Sequence, residues 1–78
     1  MTVDATSITA GIAADMREMR SDAVAMAQHH TNAAFAEIVG AIVAGARGDV
    51  AESAAGHVRA ARHSNAARAF LVVVEASS

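Results

Sequence analysis

The chain has 78 residues, a formal net charge of −2, four histidines and no cysteine, proline, tryptophan or tyrosine; all six of its basic side chains are arginine. That length allows one small domain. The missing cysteines exclude a disulfide framework or a thiolate metal site, and the weak negative charge argues against nucleic acid as the main partner. The composition is 54% hydrophobic, yet alanine supplies more than half of those positions. A core built mainly of methyl groups is thin, and a lone domain of this size sits near zero net stability, so assembly with further copies is expected.

In chain order, the first predicted element is an amphipathic helix over about residues 7–45. Ile8, Ile12, Met16, Met19, Ala23, Met26, His30, Ala33 or Ala34, Ile38 and Ile42 recur at steps of three and four. Val24, Phe35, Val39 and Val43 widen the apolar face in its later half, which predicts two neighbours there. Ala36, Gly40 and Ala44 form a row of small residues, a weak indication of close helix approach in water. The segment GARGD, residues 45–49, is the predicted turn, with Asp49 as the cap of the next helix and Glu52 at the capping-box position.

A second helix is expected over about 50–68, with Val50, Ala54, Val58, Ala61, Asn65 and Ala69 on its apolar side and Arg59, Arg62 and His63 on or near the other. So short a turn makes the pair an antiparallel hairpin. Residues 70–78 close the chain as a short apolar segment, FLVVVEASS, readable either as a β-prone extended tail or as a buried helix end. The expected fold class is therefore all-α: one helical-hairpin subunit, residues 1–78, self-assembling. Its halves differ in charge. Asp4, Asp15, Glu18, Asp22 and Glu37 outweigh Arg17 and Arg20 in residues 1–40, whereas Arg47, Arg59, Arg62 and Arg68 outweigh Asp49, Glu52 and Glu75 in the rest. The two halves can attract each other within a chain or between copies.

The start MTVDATS lacks a basic region and an apolar core, and the most apolar run, residues 33–46, is too short for a span and carries Glu37. A soluble, cytoplasmic chain without stable membrane insertion is expected. The sequence has no GxSxG elbow, HExxH, ExxH or phosphate loop, so no catalytic, cofactor-binding or metal-binding residue is assigned and the chain is expected not to be an enzyme. His29 and His30 diverge by about 100° on a helix, and His57 and His63 face different sides, which leaves only an interchain metal site open.

The four histidines, His29, His30, His57 and His63, are instead candidate pH sensors, since histidine is the side chain that ordinarily changes charge near neutrality. His30 falls on the apolar stripe. A proton there brings charge into a packed interface, at a cost of several kcal/mol unless Glu37 or another carboxylate pairs with it. An inert, satisfied interface histidine is the plainer alternative for any one of them. The candidate assembly interface comprises Ile8, Ile12, Met16, Met19, Met26, Phe35, Ile38, Ile42, Phe70, Leu71, Val72, Val73 and Val74.

Over residues 8–27, ITAGIAADMREMRSDAVAMA, the chain resembles the RebB-like family of R-body proteins. The resemblance rests on Ile8 and Thr9, on Asp22, Ala23, Ala25, Met26 and Ala27 in an acidic-Ala-x-Ala-Met-Ala element, and on the small residues Ala36 and Gly40. It covers the first half better than the second: Val24 stands where the family commonly has proline, and His57, Arg59, Arg62 and His63 stand where it is rich in glutamine. The resemblance implies a subunit of bacterial cytoplasmic protein ribbons, insoluble coiled inclusions that extend on acidification and can break membranes. Its partner would be further copies of itself, or copies together with paralogous subunits, and no cofactor is implied. A small soluble helical dimer or four-helix bundle that binds another protein is the alternative.

Overall fold

The computed structural model describes residues 4–77 and contains two helices, α1 (Ala5–Ala46) and α2 (Val50–Ala76), packed against each other as an antiparallel hairpin. Both helices start on an aspartate. The Asp4 carboxylate accepts from the Thr6 amide at 3.0 Å and the Asp49 carboxylate from the Glu52 amide at 3.1 Å, which satisfies donors that a first helical turn leaves open. Glu52 does not complete a reciprocal capping box, because its carboxylate turns instead to Arg59.

The turn is tighter than the five-residue segment expected. Gly48 adopts a left-handed φ of 81°, its amide bonds the Gly45 carbonyl at 3.1 Å, and the Asp49 amide bonds the Ala44 carbonyl at 2.9 Å. This is the Schellman arrangement, in which a glycine without a Cβ reverses the chain while the last carbonyls of α1 stay paired.

Between the helices lies a seam of small side chains. On α1, Ala13 and then, at steps of three and four, Arg20, Ala23, Ala27, His30, Ala34, Glu37, Ala41 and Ala44 are drawn out of solvent, with Ala33 half-buried beside them. On α2 the matching set is Ser53, Gly56, Ala60, His63, Ala67, Phe70, Val74 and Ser77. Such a heptad seam is the geometry of two helices winding about each other. The fully buried positions are Ala23, Ala27, Ala34, Ala41, Gly56, Ala60 and Ala67, and no large side chain is fully buried. Helices close up where the contact residues are smallest. At Gly56 a Cβ would lie 2.9 Å from the Ala41 Cβ and 3.3 Å from the Glu37 carbonyl oxygen.

Three sequence expectations need correction. Ile8, Ile12, Met16, Met19, Met26, Ile38 and Ile42 do not form the hairpin seam; all are exposed, and of that stripe Ala23, His30 and Ala34 enter it, with Ala33 half-buried beside it. On α2 the seam is offset from the expected set: Val50, Ala54, Val58, Ala61, Asn65 and Ala69 are exposed, and His63, expected on or near the outer side, faces α1. Large side chains at these positions would hold the backbones apart, whereas alanine lets them touch over many contacts. Finally, of the two readings of the tail the helix end holds and the extended strand does not: residues 70–76 continue α2, which ends at Ala76 rather than near Arg68. Phe70 and Val74 extend the spacing set by His63 and Ala67, so docking on α1 outweighs a local valine preference for strand that is worth less than about 1 kcal/mol per residue.

The helix lengths differ. At 1.5 Å per residue α1 measures about 63 Å and α2 about 40 Å, within overall extents of 69 × 18 × 14 Å. Arg20 donates to the Ser77 carbonyl oxygen at 3.2 Å, so α2 ends beside the second quarter of α1. There the cation also meets the negative end of the helix dipole.

Candidate assembly interface and histidine pair

Because the seam is filled by alanine, the larger apolar residues are displaced to the flanks and backs of both helices. Phe35 is 69% exposed, Ile42 61% and Val72 63%, although each is large enough to be worth burying. Val24, Phe35, Val39 and Val43, which widen the apolar face in the sequence, all lie outside the seam and are exposed, as is Ile42. Two shallow apolar grooves run along the flanks. One is lined by Thr31, Phe35 and Ile38 of α1 with Ser64, Arg68 and Leu71 of α2; the other lies between Met19, Asp22 and Met26 on one side and Phe70 and Val73 on the other. Of the candidate interface residues, Phe70 and Val74 serve the intrachain seam, while Leu71, Val72 and Val73 point outward.

Midway along the seam the two helices bring His30 and His63 together. Their Nδ1 atoms lie 2.8 Å apart, within hydrogen-bond distance. One imidazole must carry its proton on Nδ1 and donate, and the other must present an unprotonated Nδ1 and accept. The His30 ring also stacks on Phe70, with centroids 5.8 Å apart and planes at 11°, and meets His29 edge-on at 5.1 Å. His29 and His57 are exposed. Sequence spacing separated His30 from His29 correctly, but the meeting of His30 with His63 within one chain was missed. Only the register of the alanine seam reveals it: His30 and Ala34 face Ala67 and His63 in the same three-four frame.

Glu37, proposed from the sequence as a partner for His30, is held elsewhere. Its Oε2 accepts from Arg59 Nε at 2.9 Å, and Glu52 Oε1 accepts from Arg59 Nη2 at 2.6 Å. Donating to Glu52 and then to Glu37 pushes the pKa of the Arg59 guanidinium, already charged at every ordinary pH, further up. The bridge joins the acidic half of the chain to the basic half, as the charge distribution suggested.

Among the described residues there is no group of three or more histidine, cysteine, aspartate or glutamate side chains placed to hold a metal ion, and no helix is long and apolar enough to cross a membrane. The architecture defines the class, a two-helix hairpin with an alanine seam. Comparison with protein-family models, curated proteins and solved structures gives no match for this chain.

Proposed function

We propose that this chain is a structural, non-enzymatic subunit that self-assembles into a higher-order polymer, a ribbon of the R-body kind in a bacterial cytoplasm, with packing that responds to pH. The observation carrying the reading is the division of apolar side chains: alanine fills the contact between the helices and the larger residues lie outside it. Contiguous exposed apolar surface of this sort marks interaction sites. The hairpin alone buries too little to be a robust fold, and further copies covering Phe35, Ile38, Ile42 and Leu71 supply the missing burial.

The pH response is assigned to His30 and His63. With both rings neutral they share one N–H···N hydrogen bond, and one added proton preserves a donor and an acceptor. A second proton leaves two N–H groups opposed at 2.8 Å. The titratable and charged neighbours along α1 are His29 and Glu37, and along α2 Arg59 and Arg62; Glu37, the carboxylate among them, is engaged by Arg59. The second proton, not the first, is therefore the one that breaks the contact, so the pair's contribution is present at neutral pH and lost on acidification.

Negative-stain electron microscopy and sedimentation at pH 7 and pH 5 test both parts. Extended assemblies at pH 7 whose form changes at pH 5 are expected. A discrete dimer of constant size at high concentration would instead establish the alternative, a four-helix bundle of two hairpins that binds a partner protein, which the two flanking grooves would accommodate.

A further inference from the structure

The start of α1 runs past the end of α2, whose cap, Ser77, is met by Arg20. From Ala5 to Met19 every residue is exposed except the half-buried Ala13, so tertiary packing contributes little to this stretch. Its local chemistry is also weak. Gly11 loses backbone entropy in a helix and has nothing within 4 Å of an added Cβ, and Thr6, Ser7 and Thr9 are poor helix formers. Growth from the paired part of α1 spares these residues a nucleation step, but each added turn then gains little beyond its own hydrogen bonds.

A second start signal lies inside α1. The segment DMRE, residues 15–18, has the same spacing as DVAE, residues 49–52, where the Asp49 carboxylate accepts from the Glu52 amide and opens α2. In the whole chain, Asp, Asn, Ser or Thr followed three residues later by Glu or Gln occurs twice, at Asp49 and at Asp15. Asp15 stands five residues before Arg20, close to where pairing with α2 ends, and a helix over residues 16–46 nearly matches the 27 residues of α2. Within the long helix, aspartate at position 15 is an unfavourable residue with a like charge, Glu18, three positions on. At a helix start the same two residues become a cap and a first-turn carboxylate at the positive end of the dipole.

We propose that α1 has two alternative starts: a long form capped by Asp4, and a short form in which residues 5–14 unwind and Asp15 caps a helix from Met16 onward. The segment opens and closes while the hairpin stays paired, with the Arg20 contact to Ser77 marking the boundary. The two forms belong to a single chain, so they go beyond the self-assembly reading and do not depend on it.

Hydrogen exchange on the dispersed protein tests the two starts. Amides of residues 8–14 are expected to exchange roughly tenfold or more faster than those of residues 23–41, which lie in the paired region. Two substitutions isolate the cap. Asp15→Asn keeps a capping side chain and Asp15→Val removes it, while both remove the charge and both have a helix propensity close to that of aspartate. Because losing the cap destabilises the short form alone, Asp15→Val is expected to exchange roughly fivefold more slowly at 8–14 than Asp15→Asn, with 23–41 alike in the two. Equal exchange at 8–14 in the two variants overturns the second start. Protection at 8–14 equal to that at 23–41 in the wild type overturns it as well, and so does a change at 23–41 that keeps step with 8–14, which marks α1 as one cooperative unit.

Discussion

Two glycines on helices show how the same substitution takes opposite signs in this fold. Replacing glycine by alanine within a helix ordinarily gains about 0.5–1 kcal/mol from backbone entropy. At Gly40 a new Cβ meets nothing within 4 Å, so Gly40→Ala should stabilise the hairpin by about that amount. At Gly56 the added methyl meets the Ala41 Cβ at 2.9 Å, with the Ala41 Cα and the Glu37 carbonyl close behind, and none of these is the free end of a flexible side chain. Overpacking of that kind costs about 1–3 kcal/mol, which exceeds the entropy gain, so Gly56→Ala should be net destabilising. Thermal melts of the two variants at one low concentration check the pair of signs. The histidines are separable in the same way. His30→Gln with His63→Gln keeps polar groups at the seam but removes the titration, so the acid-induced loss of stability should vanish, whereas His29→Gln with His57→Gln should leave it in place. An acid transition that persists in the first double variant would remove the role given to the pair.

At the level of elements, hydropathy patterning showed where the helices are and misidentified which face joins them. Asp49, Glu52 and the two glycines of GARGD mark the turn and the start of α2 from local chemistry alone, and the structure keeps that boundary, whereas the Asp4 cap of α1 and the end of α2 at Ala76 were not read from the sequence. The seam was concealed for a physical reason. Periodicity is read from large side chains, because they contrast with their neighbours, but the contact here is made by alanine. That residue is so abundant that its heptad placement at Ala27, Ala34 and Ala41 does not stand out. Gly56 was the overlooked signal: a glycine inside a helix invites the question of what lies against it. Once Gly56 is set opposite Ala41, antiparallel geometry places His63 near His30 and Ser77 near Arg20. The terminal FLVVVEASS was ambiguous because its local preference and its heptad position disagree, and only the partner helix decides between them.

For the molecule as a whole, the decisive contrast is between what holds one hairpin together and what it leaves exposed. The intrachain contact depends on alanines, Gly56, the His30–His63 pair and the Glu37–Arg59–Glu52 bridge, and none of these involves Phe35 or Ile42. Those two residues lie outside the seam, at 69% and 61% exposure, Phe35 at the edge of a flanking groove. Surface substitutions away from structural contacts ordinarily change stability by no more than about 0.5 kcal/mol. Phe35→Ser combined with Ile42→Ser should therefore leave the helical content and melting behaviour of the dispersed hairpin nearly unchanged. Assembly should respond in the opposite sense, since each large apolar side chain buried at an interface contributes about 1.5–3 kcal/mol and a polymer repeats that contribution at every subunit. Sedimentation of wild type and double variant across a concentration series makes the comparison. A raised threshold for assembly with an unaltered hairpin places Phe35 and Ile42 within the contact between copies; an unaltered threshold excludes them from it.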